Sequence, residues 1–103
     1  MQYDGVFTDT RAFLILSFSF TPVALGATLT VQEQTATVPA GSPTLKTTDA
    51  VLVCEPPAAP NTLVQVSGAR VASATTLNVA FTNVTAAANV PTAGVYTFLI
   101  FRP

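Results

Sequence analysis

A chain of 103 residues has room for one core and no second domain. Half of its residues are hydrophobic and only 9% are charged, against roughly a quarter in an ordinary soluble domain, so a surface built mostly from Thr, Ser, Ala, Val, Asn and Gln is expected to be covered in part by other subunits. The net charge of −1 and four scattered cations, Arg11, Lys46, Arg70 and Arg102, exclude the basic footprint of nucleic-acid binding, and the absence of His excludes any Ser-His-Asp or Cys-His arrangement within the chain.

Residues 1 to 11, MQYDGVFTDTR, form a separate compositional zone with three of the charges (Asp4, Asp9, Arg11) and two aromatics, Tyr3 and Phe7. The zone reads as an extended arm that seats its aromatics in a partner's groove or adds a strand to a partner's sheet edge; a tag-like mobile end is the alternative. From Leu14 to Phe20 the apolar residues Leu14, Leu16, Phe18 and Phe20 alternate with Ile15, Ser17 and Ser19, which predicts a half-buried strand. Arg11 before this run and Ala24-Leu25-Gly26-Ala27 after it imitate a secretory signal. Asp4, Asp9, Pro22 and the two serines spoil the imitation, and the strand is the preferred reading. The run is also far shorter than the roughly 20 apolar residues of a membrane helix, so no membrane span is expected.

Weaker alternation predicts a strand from Ala27 to Val38, with Leu29 and Val31 leading a Thr/Gln face of Thr28, Thr30, Gln32 and Gln34. That face is expected to be a solvated sheet surface, or a flat strip for sugar binding. Further strands are expected over Ala50 to Cys54, Leu63 to Val71 and Leu77 to Phe81. The last runs from Val95 to Arg102, with Tyr96, Phe98 and Ile100 on one face and Val95, Leu99 and Phe101 on the other. Apolar on both faces, it should pack one face on the core and the other on a neighbour. Seven prolines lie in the intervening segments, at Pro22, Pro39, Pro43, Pro56, Pro57, Pro60 and Pro91, where they cannot interrupt a central strand. Only Thr85 to Ala88 could make a turn of helix.

No chemistry-bearing constellation stands out. Asp4, Asp9, Glu33, Asp49 and Glu55 are too far apart in sequence for ligand spacing, and the glycines are too scattered for a phosphate loop. The lone Cys54 permits no intrachain disulfide and reads as a small buried hydrophobe. Arg70, in an apolar strand, must face solvent or pair with Glu33, Asp49 or another subunit. Asn83-Val84-Thr85 matches a glycosylation sequon, but turn formation by Asn explains it better. Neither enzymatic activity nor a cofactor, metal or small-molecule substrate is expected. The fold class is all-β: a small antiparallel β-sandwich, Greek-key or jelly-roll-like, with residues 1–11 as an arm and 12–103 as the single domain. A small barrel is the alternative that alternation alone leaves open.

The stretch Gly68-Ala69-Arg70-Val71-Ala72-Ser73-Ala74, followed by Thr76-Leu77-Asn78-Val79-Ala80-Phe81-Thr82-Asn83, an Ala/Thr turn and Pro91-Thr92-Ala93-Gly94-Val95-Tyr96-Thr97-Phe98, resembles small virion structural proteins of tailed bacteriophages. The resemblance spans about residues 49 to 102. It implies a capsid decoration, or cement, protein on the capsid surface, bound to the major capsid protein and to copies of itself as a homotrimer, with no catalytic residues to carry over. On that reading Tyr3, Phe7 and Phe13 make the arm contact, and Tyr96, Phe98 and Phe101 divide between core and subunit interface. The competing expectations are a phage tail or fibre module binding host glycan, and a secreted Ig-like adhesion module.

Overall fold

In the computed structural model, residues 12–26 and 31–103 are described. The predicted arm, with Tyr3 and Phe7, lies outside them, as do Thr28 and Thr30. Among the described residues six strands follow one another: β1 (Ala12–Phe20), β2 (Val31–Thr37), β3 (Ala50–Glu55), β4 (Val64–Ser73), β5 (Thr76–Asn83) and β6 (Gly94–Arg102). They form two three-stranded antiparallel sheets, ordered β1-β6-β3 and β2-β5-β4. The fold is therefore a small β-sandwich, and the barrel alternative falls because the two sheets stay separate. Only β4 and β5 are joined as a tight hairpin, with Ser73 opposite Thr76. Every other connection passes from one sheet to the other, so β5 and β6, late in the chain, become the two central strands.

Alternation explains the core. Leu16, Phe18 and Phe20 of β1, Leu77, Val79 and Phe81 of β5, and Tyr96, Phe98 and Ile100 of β6 are all buried between the layers. Phe20 and Phe81, from opposite sheets, both meet Tyr96 edge-on, at ring-centroid distances of 5.3 and 6.2 Å, an arrangement that aligns ring edges with ring faces. The Tyr96 hydroxyl donates to the Thr92 carbonyl at 2.7 Å, so the buried phenol is satisfied; burial, with Cys54 nearby, pushes its pKa up to about 12.

The expected Thr/Gln face is corrected at its described end. Val31 is exposed, whereas Gln34 is buried with Ala36 and Val38. An inward amide is stable because it closes a paired contact with the chain after β1: the Val23 amide donates to Gln34 Oε1 at 2.7 Å, and Gln34 Nε2 donates to the Val23 carbonyl at 2.8 Å. Burying an amide without partners is costly, and both partners here are supplied by backbone.

Two polar centres close the ends of the sandwich. Buried Asp49 accepts from Arg102 Nη2 at 2.8 Å, Arg102 Nε at 3.0 Å and the Lys46 amide at 2.9 Å. The Arg102 guanidinium, chiefly through its hydrogen bonds, holds the carboxyl below its ordinary value. At the other end buried Asn83 accepts from the Thr85 amide and hydroxyl, and donates to the carbonyls of Gly26 and Ala87. Asn83 thus shapes the turn at residues 83–87, as its turn reading predicts, and Thr85 to Ala88 form no helix. Gly94, opposite Phe20 in the β1–β6 ladder, has φ of 152°, and a Cβ there would lie 2.9 Å from Pro57 Cγ. Glycine admits both that backbone and the close approach of the proline loop.

Candidate interaction surface

The two outer faces of the sandwich differ in chemistry. On β2-β5-β4 the register sets Thr35 beside Asn78 and Arg70, and Glu33 beside Ala80 and Gly68. Arg70 donates to both Glu33 carboxylate oxygens, at 2.9 and 3.0 Å, while Thr35 donates to Asn78 Oδ1 at 3.1 Å. This settles the partner of Arg70 as Glu33 and gives the face a hydrogen-bonded polar surface. Asp49 belongs instead to Arg102.

The outer face of β1-β6-β3 lacks that polar cover. Its register places Phe13, Phe101 and Ala50 in one row and Ile15, Leu99 and Val53 in the next. Phe13 is 64% exposed, Ile15 72% and Val53 49%, while Leu52, at the bulge between Val51 and Val53, is also exposed. The Phe13 and Phe101 rings touch with centroids 5.2 Å apart, an aromatic pair in contact with solvent. The third row is polar: Ser17 and Thr97, whose hydroxyls bond one another at 2.8 Å, lie beside the exposed Glu55. Large apolar patches of this kind mark sites of association on soluble domains.

Of the sequence-predicted interface residues, Phe13 and Phe101 lie together on this surface. Tyr96 and Phe98, 1% and 0% exposed, fall on the core side of the expected division and hold the sheets together. Ile15 and Val53 are members the sequence reading passed over. Ile15 has the parity of Phe13, a signal present in the alternation, but Val53 reaches the same row only through the bulge in β3.

A cavity of about 260 Å³ opens between the β3 and β4 edges, lined in part by Cys54, Val66, Phe81 and Tyr96 and rimmed by Pro56, Pro60 and Pro91. Its polar groups are largely committed: the Asn61 amide donates to Thr92 Oγ1, Asn61 Nδ2 donates to the Val90 carbonyl, and Asn61 Oδ1 accepts from the Leu63 amide. Burial pushes the Cys54 thiol up to about 11, so it stays protonated and unreactive at neutral pH. Among the described residues no group of three or more His, Cys, Asp or Glu could hold a metal ion, and no helix is long and apolar enough to cross a membrane. No protein-family model, curated protein or solved structure matches this chain.

Proposed function

We propose that this protein is a non-enzymatic virion structural protein, a capsid decoration or cement protein that binds major capsid subunits and copies of itself at the capsid surface. The observation that carries the reading is the contrast between the two outer faces. One carries an ion-paired polar network, while the other gathers Phe13, Ile15, Leu99, Phe101 and Val53 into two adjacent apolar rows, with Glu55 in the row beyond them. Removing such a face from water stabilises an assembly by roughly 25 cal/mol for each Å² of apolar surface covered, and repetition of the contact around a particle multiplies its effect. The resemblance over residues 49 to 102 supplies the virion setting.

The competing roles fit less well. A glycan site needs hydrogen-bond donors and acceptors around its aromatic platform, whereas the Phe13–Phe101 pair is flanked by the apolar Ile15, Leu99 and Val53, and the polar Ser17, Thr97 and Glu55 lie in the row beyond them. A secreted adhesion module cleaved near residue 27 would lose β1, and with it Leu16, Phe18 and Phe20 of the core. The test is co-sedimentation of the full chain with capsids purified from the same source. Binding in a fixed ratio to the major capsid protein, lost in Phe13→Ser, is the expected result; a chain left in the supernatant would sink the assignment.

A further inference from the structure

The geometry points to the outer edge of β1 as a self-association site, where two copies of the chain pair β1 to β1 antiparallel about a two-fold axis. This inference concerns the edge of the sheet, where it sets a two-fold pair in place of the homotrimer that the resemblance implies; the capsid contact, which concerns the face, does not depend on it.

Sheet edges present unpaired N–H and C=O groups, and proteins protect them with charge, proline or bulges. Three of the four edges here carry such protection. β3 has a bulge at Val51/Val53 and ends at Glu55 before Pro56, β4 has two register shifts and carries Arg70, and β2 is short and carries Glu33. β1 carries none: its 9 residues, AFLILSFSF, pair with β6 in unbroken register, without a charge, a proline or a bulge. Among the described residues β6 is its one strand partner.

The sequence of β1 favours itself as the occupant. Antiparallel pairing with full overlap centres on Leu16, so that Leu16 meets its own copy and Leu14 meets Phe18. These pairs lie on the core-facing parity, and each copy's interior layer continues into the other's. On the outward parity Phe13 meets Ser19 and Ile15 meets Ser17, a bulky residue opposite a small one at each step. Directly opposed side chains in an antiparallel ladder lie about 4.5 to 5.5 Å apart, close enough for this alternation of size to decide fit. With no charge on the strand, two identical copies meet without repulsion. The resulting sheet runs β3-β6-β1 into its copy and joins the Phe13 and Ile15 clusters of both chains into one strip.

The test uses the full chain in a Cys54→Ala background, without capsids. Ile15→Cys and Ser17→Cys proteins are prepared separately, mixed, and oxidised. The full-overlap register predicts a native mass twice that of one chain, and a covalent dimer formed efficiently only in the mixture, since opposed positions meet the separation a disulfide requires. Cross-linking of Ile15→Cys alone would place the axis one residue away and still support edge pairing. A monomeric native mass, a trimer, or equal cross-linking through Leu52→Cys, which lies on the far strand of the sheet, would overturn it.

Discussion

Replacing Phe13 with Ser should lower stability but leave the domain folded, whereas Phe98→Ala in the neighbouring strand should come close to unfolding it. Phe13 is 64% exposed, so only about a third of the roughly 1.5 to 3 kcal/mol gained by fully burying a large apolar side chain is at stake. Its contact with Phe101 at 5.2 Å adds about 0.5 to 1.5 kcal/mol, for a loss of about 1 to 2.5 kcal/mol. Phe98 is fully buried and stacks on Phe18 at 5.4 Å. Truncating such a ring removes its transfer energy and leaves a cavity, at a cost of about 3 to 5 kcal/mol, a large part of the 5 to 15 kcal/mol typical of a folded domain. Urea unfolding followed by far-ultraviolet circular dichroism measures both variants, with an unchanged slope confirming that the same surface is exposed on unfolding. If Phe13→Ser loses as much as Phe98→Ala, the outer face of β1-β6-β3 is core, covered by another part of the chain, and the interaction surface assigned to it does not exist.

Leu77→Ala, at a fully buried position in the central strand β5, should cost about 2.7 to 5 kcal/mol by the same denaturation assay; a variant as stable as the parent would mean that β5 packs its other face inward. Asn83→Ala strands the Gly26 carbonyl and the Thr85 amide and should cost about 2 to 4 kcal/mol, so parental stability would show that the turn holds without this network. Asp49 is held below its ordinary value of 3.8 first by the Arg102 hydrogen bonds. Its stabilisation is therefore complete above the unfolded-chain value and is lost as pH falls through the lower folded value. Asp49→Asn should consequently flatten the loss of stability below about pH 4 seen in the parent, and an unchanged acid limb in thermal melts would remove Asp49 from the account. Deleting residues 2 to 11 should leave the sandwich folded but abolish co-sedimentation with capsids; unfolding, or undiminished attachment, would refute the arm assignment for Tyr3 and Phe7.

Much of this fold is written in local alternation. A period of two along Leu14 to Phe20, Leu77 to Phe81 and Tyr96 to Ile100 determines three strands and the faces they bury, because successive side chains in a strand point to opposite sides. The proline-rich segments mark where strands end, and the absence of His means that no imidazole contributes to any site within this chain. Gln34 shows the limit of such reading. Its neighbours suggest a polar outer strip, but the choice of parity depends on Val23, 11 positions away, whose backbone supplies the amide's partners. Tertiary structure also chose Glu33 over Asp49 for Arg70, through a register that brings together residues 37 positions apart. The same holds for the candidate surface. The parity of Phe13 and Phe101 is readable along each strand, but their contact needs β1 beside β6, and Val53 joins them only through a bulge. Strand order and bulges arise from the packing of two whole sheets, a long-range balance of burial and hydrogen bonding that no single segment contains.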